Sequence, residues 1–304
     1  MTRQTRSAGR PLPFTIATVL ALGMLAVGPS AFAAGPTTVD LATAGSFAVL
    51  AGTPAITNTG PSTITGDVGI HPALAVTGFP PGIVNGTIHA GDATALQAKS
   101  DLVVAYDDAA GRTPVTVVAG GTLGGQTLVG GVYNAGGVTL GLTGTLTLDG
   151  QNDPNSVWIF QATSDLVTAS SSVVTFVNGG QPCNVFWQVT SSATLGSGST
   201  FIGTILALTS ITMADGVQMN GRALARNGEV TLINDSITIA SCSAPAPTAG
   251  ATTGATVVPT IPPTETLATT GRQPSPWLYL VITAFVVALV VLAARMRAFA
   301  FRRR

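Results

Sequence analysis

Charge is scarce in this chain: 9% of its 304 residues are charged, and between Ala34 and Thr270 only Lys99, Arg112, Arg222 and Arg226 are cationic, against 13 acids. Four scattered cations build no basic patch, which argues against nucleic acid or anionic lipid as a partner. Histidine is limited to His71 and His89, neither with a second ligand at metal spacing, so no metal and no cofactor is expected. The acids Asp149, Asp153, Asp165, Asp215 and Asp235 fall at predicted turns, and Asp107-Asp108 reads as a solvated helix end. No pair of carboxylates is offered for general acid–base work, so the chain is not expected to be an enzyme. Arg222 and Arg226 are expected to pair with Asp215 or Glu229. Cysteine occurs twice, at Cys183 and Cys242, a single candidate disulfide whose loop closure is worth about 4 kcal/mol if unstrained.

What is present is small and β-branched, with strong signals near both ends. Arg3, Arg6 and Arg10 precede an apolar run from Phe14 to Val27 and then Ala31-Phe32-Ala33, which predicts a signal peptide over 1–33 and export. Residues 243–266 are rich in Ala, Pro, Thr and Gly and read as an extended stalk. The uncharged run 277–294 suffices to span a bilayer, and the arginines of 295–304 predict a cytoplasmic tail. Just before that run lies Leu267-Ala268-Thr269-Thr270-Gly271. Pentapeptide, apolar span and basic tail together resemble a sortase cell-wall sorting signal of the Leu-Ala-x-Thr-Gly kind found in high-GC Gram-positive bacteria. That resemblance implies cleavage after Thr270, linkage of this threonine to peptidoglycan, only transient use of the span, and display on the cell surface.

The folded domain is therefore expected over 34–242. Within it a threonine recurs at the centre of short apolar triplets, as Thr139, Thr168, Thr194, Thr212 and Thr231, with final intervals of 18 and 19 residues. Such a period reads as stacked coils. Side chains alternate along a strand, so apolar flanks facing a core would put these threonines in one outward ladder. A third strand per coil offers a second outward set: Thr147, Thr175, Thr200, Gln218 and Thr238. The first strand differs, because Val157 to Phe160, Val185 to Trp187 and Thr204 to Leu208 are apolar at nearly every position, as strands buried on both faces are. The one segment with helical character, about 91–110, is the element available to cover that side. The predicted architecture is mainly β: a three-sided β-solenoid with one α-helix along a side. Ser46 to Ile70 repeats the coil style, at a place in the stack that the sequence does not give.

Several strings are more specific. Ser46-Phe47-Ala48-Val49-Leu50-Ala51-Gly52, Gly66-Asp67-Val68-Gly69, Thr77-Gly78-Phe79-Pro80-Pro81-Gly82, Ile88-His89-Ala90-Gly91-Asp92, Val185-Phe186-Trp187-Gln188-Val189 and Gly221-Arg222-Ala223-Leu224-Ala225 together resemble the microbial ice-binding protein family. The resemblance runs from Val39 to Cys242. It implies a right-handed discontinuous β-helix with an accompanying helix, and a flat face of hydroxyl-bearing and small side chains that meets an ice crystal surface and its ordered water. Some strongly active members carry Thr-Ala/Gly-x-Thr/Asn on that face; no clean repeated copy occurs here. The preferred face is that of Thr139, Thr168, Thr194, Thr212 and Thr231, with the third-strand set as the alternative. The competing reading is a surface adhesin for carbohydrate or another cell; a polysaccharide-active β-helix enzyme would need clustered carboxylates.

Overall fold

In the computed structural model, which describes residues 35–243, every paired strand runs parallel to its neighbours and the chain winds into a three-sided β-helix. The predicted signal peptide, the stalk beyond Ser243, the sorting motif and the apolar span lie outside those residues. Among the described residues no helix is long and apolar enough to cross a membrane.

Chain order and stack order differ. From one end, successive coils begin on the first side with Val115–Val117, Gly131–Asn134, Trp158–Ala162, Val185–Val189, and then the long strands Thr200–Ala207 and Gln218–Ala225, which carry the chain from the third side of one coil to the first side of the next. The next layer is not the chain's continuation but its beginning: Phe47–Ala51 pairs with Gln218–Ala225, Ala55–Thr59 with Val230–Ile233, and Thr63–Thr65 with Ser236–Thr238. A further coil, Asp67–Ile70, Ala75–Thr77 and Ile83–Asn85, follows, and Ile88–Ala90 pairs onto the outer edge of Asp67–Ile70. Helix α1 (Ala93–Gly111) then returns the chain along the stack to the coil at Val115.

Each element follows from its residues. Helix α1 starts at Asp92, whose carboxylate accepts the Ala95 N–H at 2.8 Å, a side-chain cap for an otherwise orphaned donor. Its inner face, with Ala98, Leu102, Ala105 and Ala109 fully or almost fully buried, covers Leu50, Ile159, Phe186, Leu206 and Leu224 of the first side. This double burial is why the first strands lack alternation. Within the solenoid the inward residues form a second core, in which Phe160 stacks on Trp187 at 4.1 Å between centroids and each buried indole donates to a carbonyl, Trp158 to Leu128 and Trp187 to Ile202. Where the two long strands bend between sides, Gly203 pairs with Gly221, and a Cβ on Gly221 would lie 1.9 Å from the Gly203 oxygen. Only glycine fits that corner. Both cores, all these pairings and the Cys183–Cys242 disulfide (Cα–Cα 5.4 Å) lie within residues 35–243, so the segment is a self-contained folding unit.

Candidate functional site

The second side is a seven-stranded parallel sheet that α1 leaves uncovered. Its strands are triplets for the most part, and in Ala193-Thr194-Leu195, Ile211-Thr212-Met213 and Val230-Thr231-Leu232 both flanking side chains are fully buried, so alternation points the threonine outward. The register sets Thr194 beside Thr212, Thr212 beside Thr231, Thr231 beside Thr57, and Thr57 beside Thr77. These five threonines form one unbroken column. At a strand spacing of about 4.8 Å it is roughly 19 Å long. The Thr57 hydroxyl donates to that of Thr231 at 3.3 Å, across the junction between chain regions 174 residues apart.

This column differs from the expected ladder at two places. Thr168 faces inward and is 3% exposed; its Oγ1 accepts the Gly196 N–H at 2.9 Å and lies 3.4 Å from the Ser199 hydroxyl. Leu166 fills the core in that coil, so alternation gives the outward position to Val167. Thr139 is exposed but precedes its strand, Leu140–Leu142, and Gly141 takes the outward place in register with Val167. Nothing in the sequence assigns Thr57 to the column, because Thr231 beside it is 174 residues away in the chain, and Thr77 joins the column only through Thr57. A local signal existed: Ser192-Ala193-Thr194, Ser210-Ile211-Thr212, Glu229-Val230-Thr231, Ala55-Ile56-Thr57 and Ala75-Val76-Thr77 share one form, an apolar residue followed by threonine.

The residues beside the column are mostly small, Glu229 and Ile233 excepted. Two positions before the threonines stand Ser192, Ser210, Glu229, Ala55 and Ala75, aligned by the Ala55–Ala75 pair and by backbone bonds from Ala193 N to Ser210 O and Ile211 N to Glu229 O. Two positions after stand Ala214, Ile233 and Thr59, the last two paired. Ser192 and Thr209 share a hydroxyl hydrogen bond of 2.8 Å at the adjoining corner. Asp165, at the end of the first of these rows, is held below the usual carboxylate range by the Ser191 hydroxyl and the Ser192 N–H.

On the third side the alternative set resolves into two columns. Thr200 and Gln218 stand in one with Ser236 and Thr63, while Thr147 and Thr175 stand in the other, which continues through Ile202 and Asn220 to Thr238 and Thr65. Neither column is threonine throughout.

The charged residues take structural posts. Arg226 pairs with Asp107 at 3.0 Å and Arg112 with Asp108 at 2.7 Å, so these acids bind arginines and the expected partners Asp215 and Glu229 are not used. Arg222 donates to the Gly45 carbonyl at 2.9 Å. Asp235 is not a solvated turn residue: it is 2% exposed and accepts the N–H groups of Val217 and Ile233. Among the described residues no three His, Cys, Asp or Glu side chains converge on a metal-sized site.

Residues 49–238 match the family described as Ice-binding-like. A protein of Nostoc sp. (strain HG1) named "Ice-binding protein" is 48% identical over 206 residues, covering 67% of this chain and 76% of its own length. One of the same name from Flavobacterium frigoris (strain PS1) is 38% identical over 215 residues, covering 66% and 76%. Among solved structures, an ice binding protein from an Antarctic biological consortium superposes with TM-score 0.67 at 41% identity, over 69% of this chain and 95% of that one.

Proposed function

Because this chain belongs to the ice-binding family, we propose that it binds ice through the face centred on Thr194, Thr212, Thr231, Thr57 and Thr77. The observation that carries the choice of face is the unbroken column itself. Parallel strands repeat it at about 4.8 Å, close to repeats of the ice lattice, on a surface that a flat crystal plane can meet. Each threonine offers a methyl and a hydroxyl, which order water without gripping it as a charge does. β-Branching limits χ1, so little side-chain freedom is lost on docking.

The signals of 267–304 extend this reading to a place. A stalk, a sortase-type motif at Leu267 to Gly271, an apolar span and a basic tail support export followed by attachment to the Gram-positive cell wall through Thr270. The protein then acts as an ice adhesin, holding the cell at ice or conditioning the water around it.

The test is made on residues 35–243. The purified domain is expected to shape growing ice crystals and to give thermal hysteresis, and Thr212→Tyr, which raises a ring within the column, should abolish both with the fold intact. Inactive wild-type protein at high concentration would sink the reading. Activity retained in Thr212→Tyr but lost in Thr175→Tyr would move the site to the third side.

A further inference from the structure

We infer that Glu229 is the residue that limits how firmly this face holds ice, an inference that rests on the reading above. The row two positions before the threonine column is Ser192, Ser210, Glu229, Ala55 and Ala75. Four of these are small and neutral, and only the third carries a charge and a long stem. Glu229 is next in that row to Ser210 and two residues from Thr231, the middle threonine of the five. Alternation puts its side chain on the same side of the sheet as Thr231.

Among the described residues no group bonds its carboxylate. Glu229 takes part in none of the ion pairs among the described residues, and its own hydrogen bonds there are made by its backbone, the N–H to Ser210 Oγ at 3.3 Å and the carbonyl to Ile211 N. Asp165, at the end of the same row, contrasts with it, since that carboxylate is engaged by the Ser192 N–H at 3.1 Å and the Ser164 hydroxyl at 3.3 Å. Among the described residues the Glu229 carboxylate has no partner, which leaves it to solvent. An advancing ice plane must strip or reorder that solvent, and neutral ice supplies no counter-charge in return. A small neutral residue would let the flat strip widen from one column to two.

Thermal hysteresis of residues 35–243 over a concentration series, for wild type, Glu229→Ser, Glu229→Gln and Thr212→Tyr, tests this. Both neutral variants are expected to reach a given hysteresis at about fivefold lower concentration than wild type, with unchanged thermal unfolding. Curves equal to or weaker than wild type in both overturn the inference. A gain in Ser without one in Gln also overturns it, since bulk and not charge is then the limit. Inactive wild type, or an active Thr212→Tyr, refutes the underlying choice of function or face and is distinct from either result.

Discussion

Thr168 and Thr194 stand in neighbouring triplets on the same side of the stack, yet one faces the core and the other faces water. The difference lies in which residue of each triplet is large. Leu166 takes the core position in one coil and Leu195 in the other, and the alternation does the rest. The two threonines should respond oppositely to substitution. Thr168→Val keeps the volume but strips the acceptor from the half-buried Gly196 N–H, so stability should fall by about 0.5–1.5 kcal/mol with ice activity unchanged. Thr57→Tyr should remove activity while leaving the thermal midpoint in place; calorimetry and hysteresis on the pair separate the roles, and a stable, inactive Thr168→Val would refute the assignment. Thr194, Thr212 and Thr231 were legible in the sequence because consecutive coils repeat at 18 and 19 residues. Thr57 and Thr77 were not, since nothing local says that coil 55–59 is laid against coil 230–233.

The helix was legible as an element, and its post along the first side followed from strands apolar on both faces. What could not be read was how a lysine sits on its buried face. Lys99 is 9% exposed and donates to the carbonyls of Ala225 and Arg226, both at 2.5 Å, where the long strand Gln218–Ala225 ends and its backbone acceptors need donors. Burial pushes this amine down to about 7 from 10.5, and the Arg226 charge acts in the same sense. The folded state therefore binds fewer protons than the unfolded chain between about pH 7 and 10.5, and stability should rise with pH across that window. Asp235, in the turn between Val230–Ile233 and Ser236–Thr238, is the mirror case. Burial raises its carboxyl to about 7 from 3.8; two backbone N–H groups pull it down, and Asp215 adds to the rise. The folded state there holds the extra proton, so stability should fall as pH climbs from about 4 to 7. The expected profile of the thermal midpoint has a minimum near neutrality. Lys99→Met should flatten its alkaline limb, and Asp235→Asn its acid limb; a wild-type midpoint that peaks near pH 7 would contradict both assignments.

At the scale of the whole molecule, the threonine column exists only because the two ends of the folded region meet. Thr194, Thr212 and Thr231 come from the last coils in the chain and Thr57 and Thr77 from the first, and the seam between them is the pairing of Val230–Ile233 with Ala55–Thr59. Hydrogen bonds beyond the paired strands also cross the seam, among them Arg222 donating to the Gly45 carbonyl and the Asp235 N–H donating to Ser62 Oγ, while the disulfide, on the later-coil side of the seam, ties Cys242 back to Cys183 over a separation of 59 residues. Cys242 follows the strand Ser236–Thr238, which pairs on one edge with Gln218–Ala225 and on the other with Thr63–Thr65. Freeing that segment loosens the last coil where the first coil rests on it. Replacing both cysteines by serine should cost about 4 kcal/mol in the chain-entropy model. The loss should also be uneven: amide exchange should quicken most in 55–59 and 230–233 and least in Trp158–Ala162, deep in the stack. If the seam is what opens, hysteresis should fall at temperatures where the rest of the solenoid is still protected. Uniform loss of protection along the stack would mean that the disulfide acts on global stability alone and has no particular hold on the threonine column.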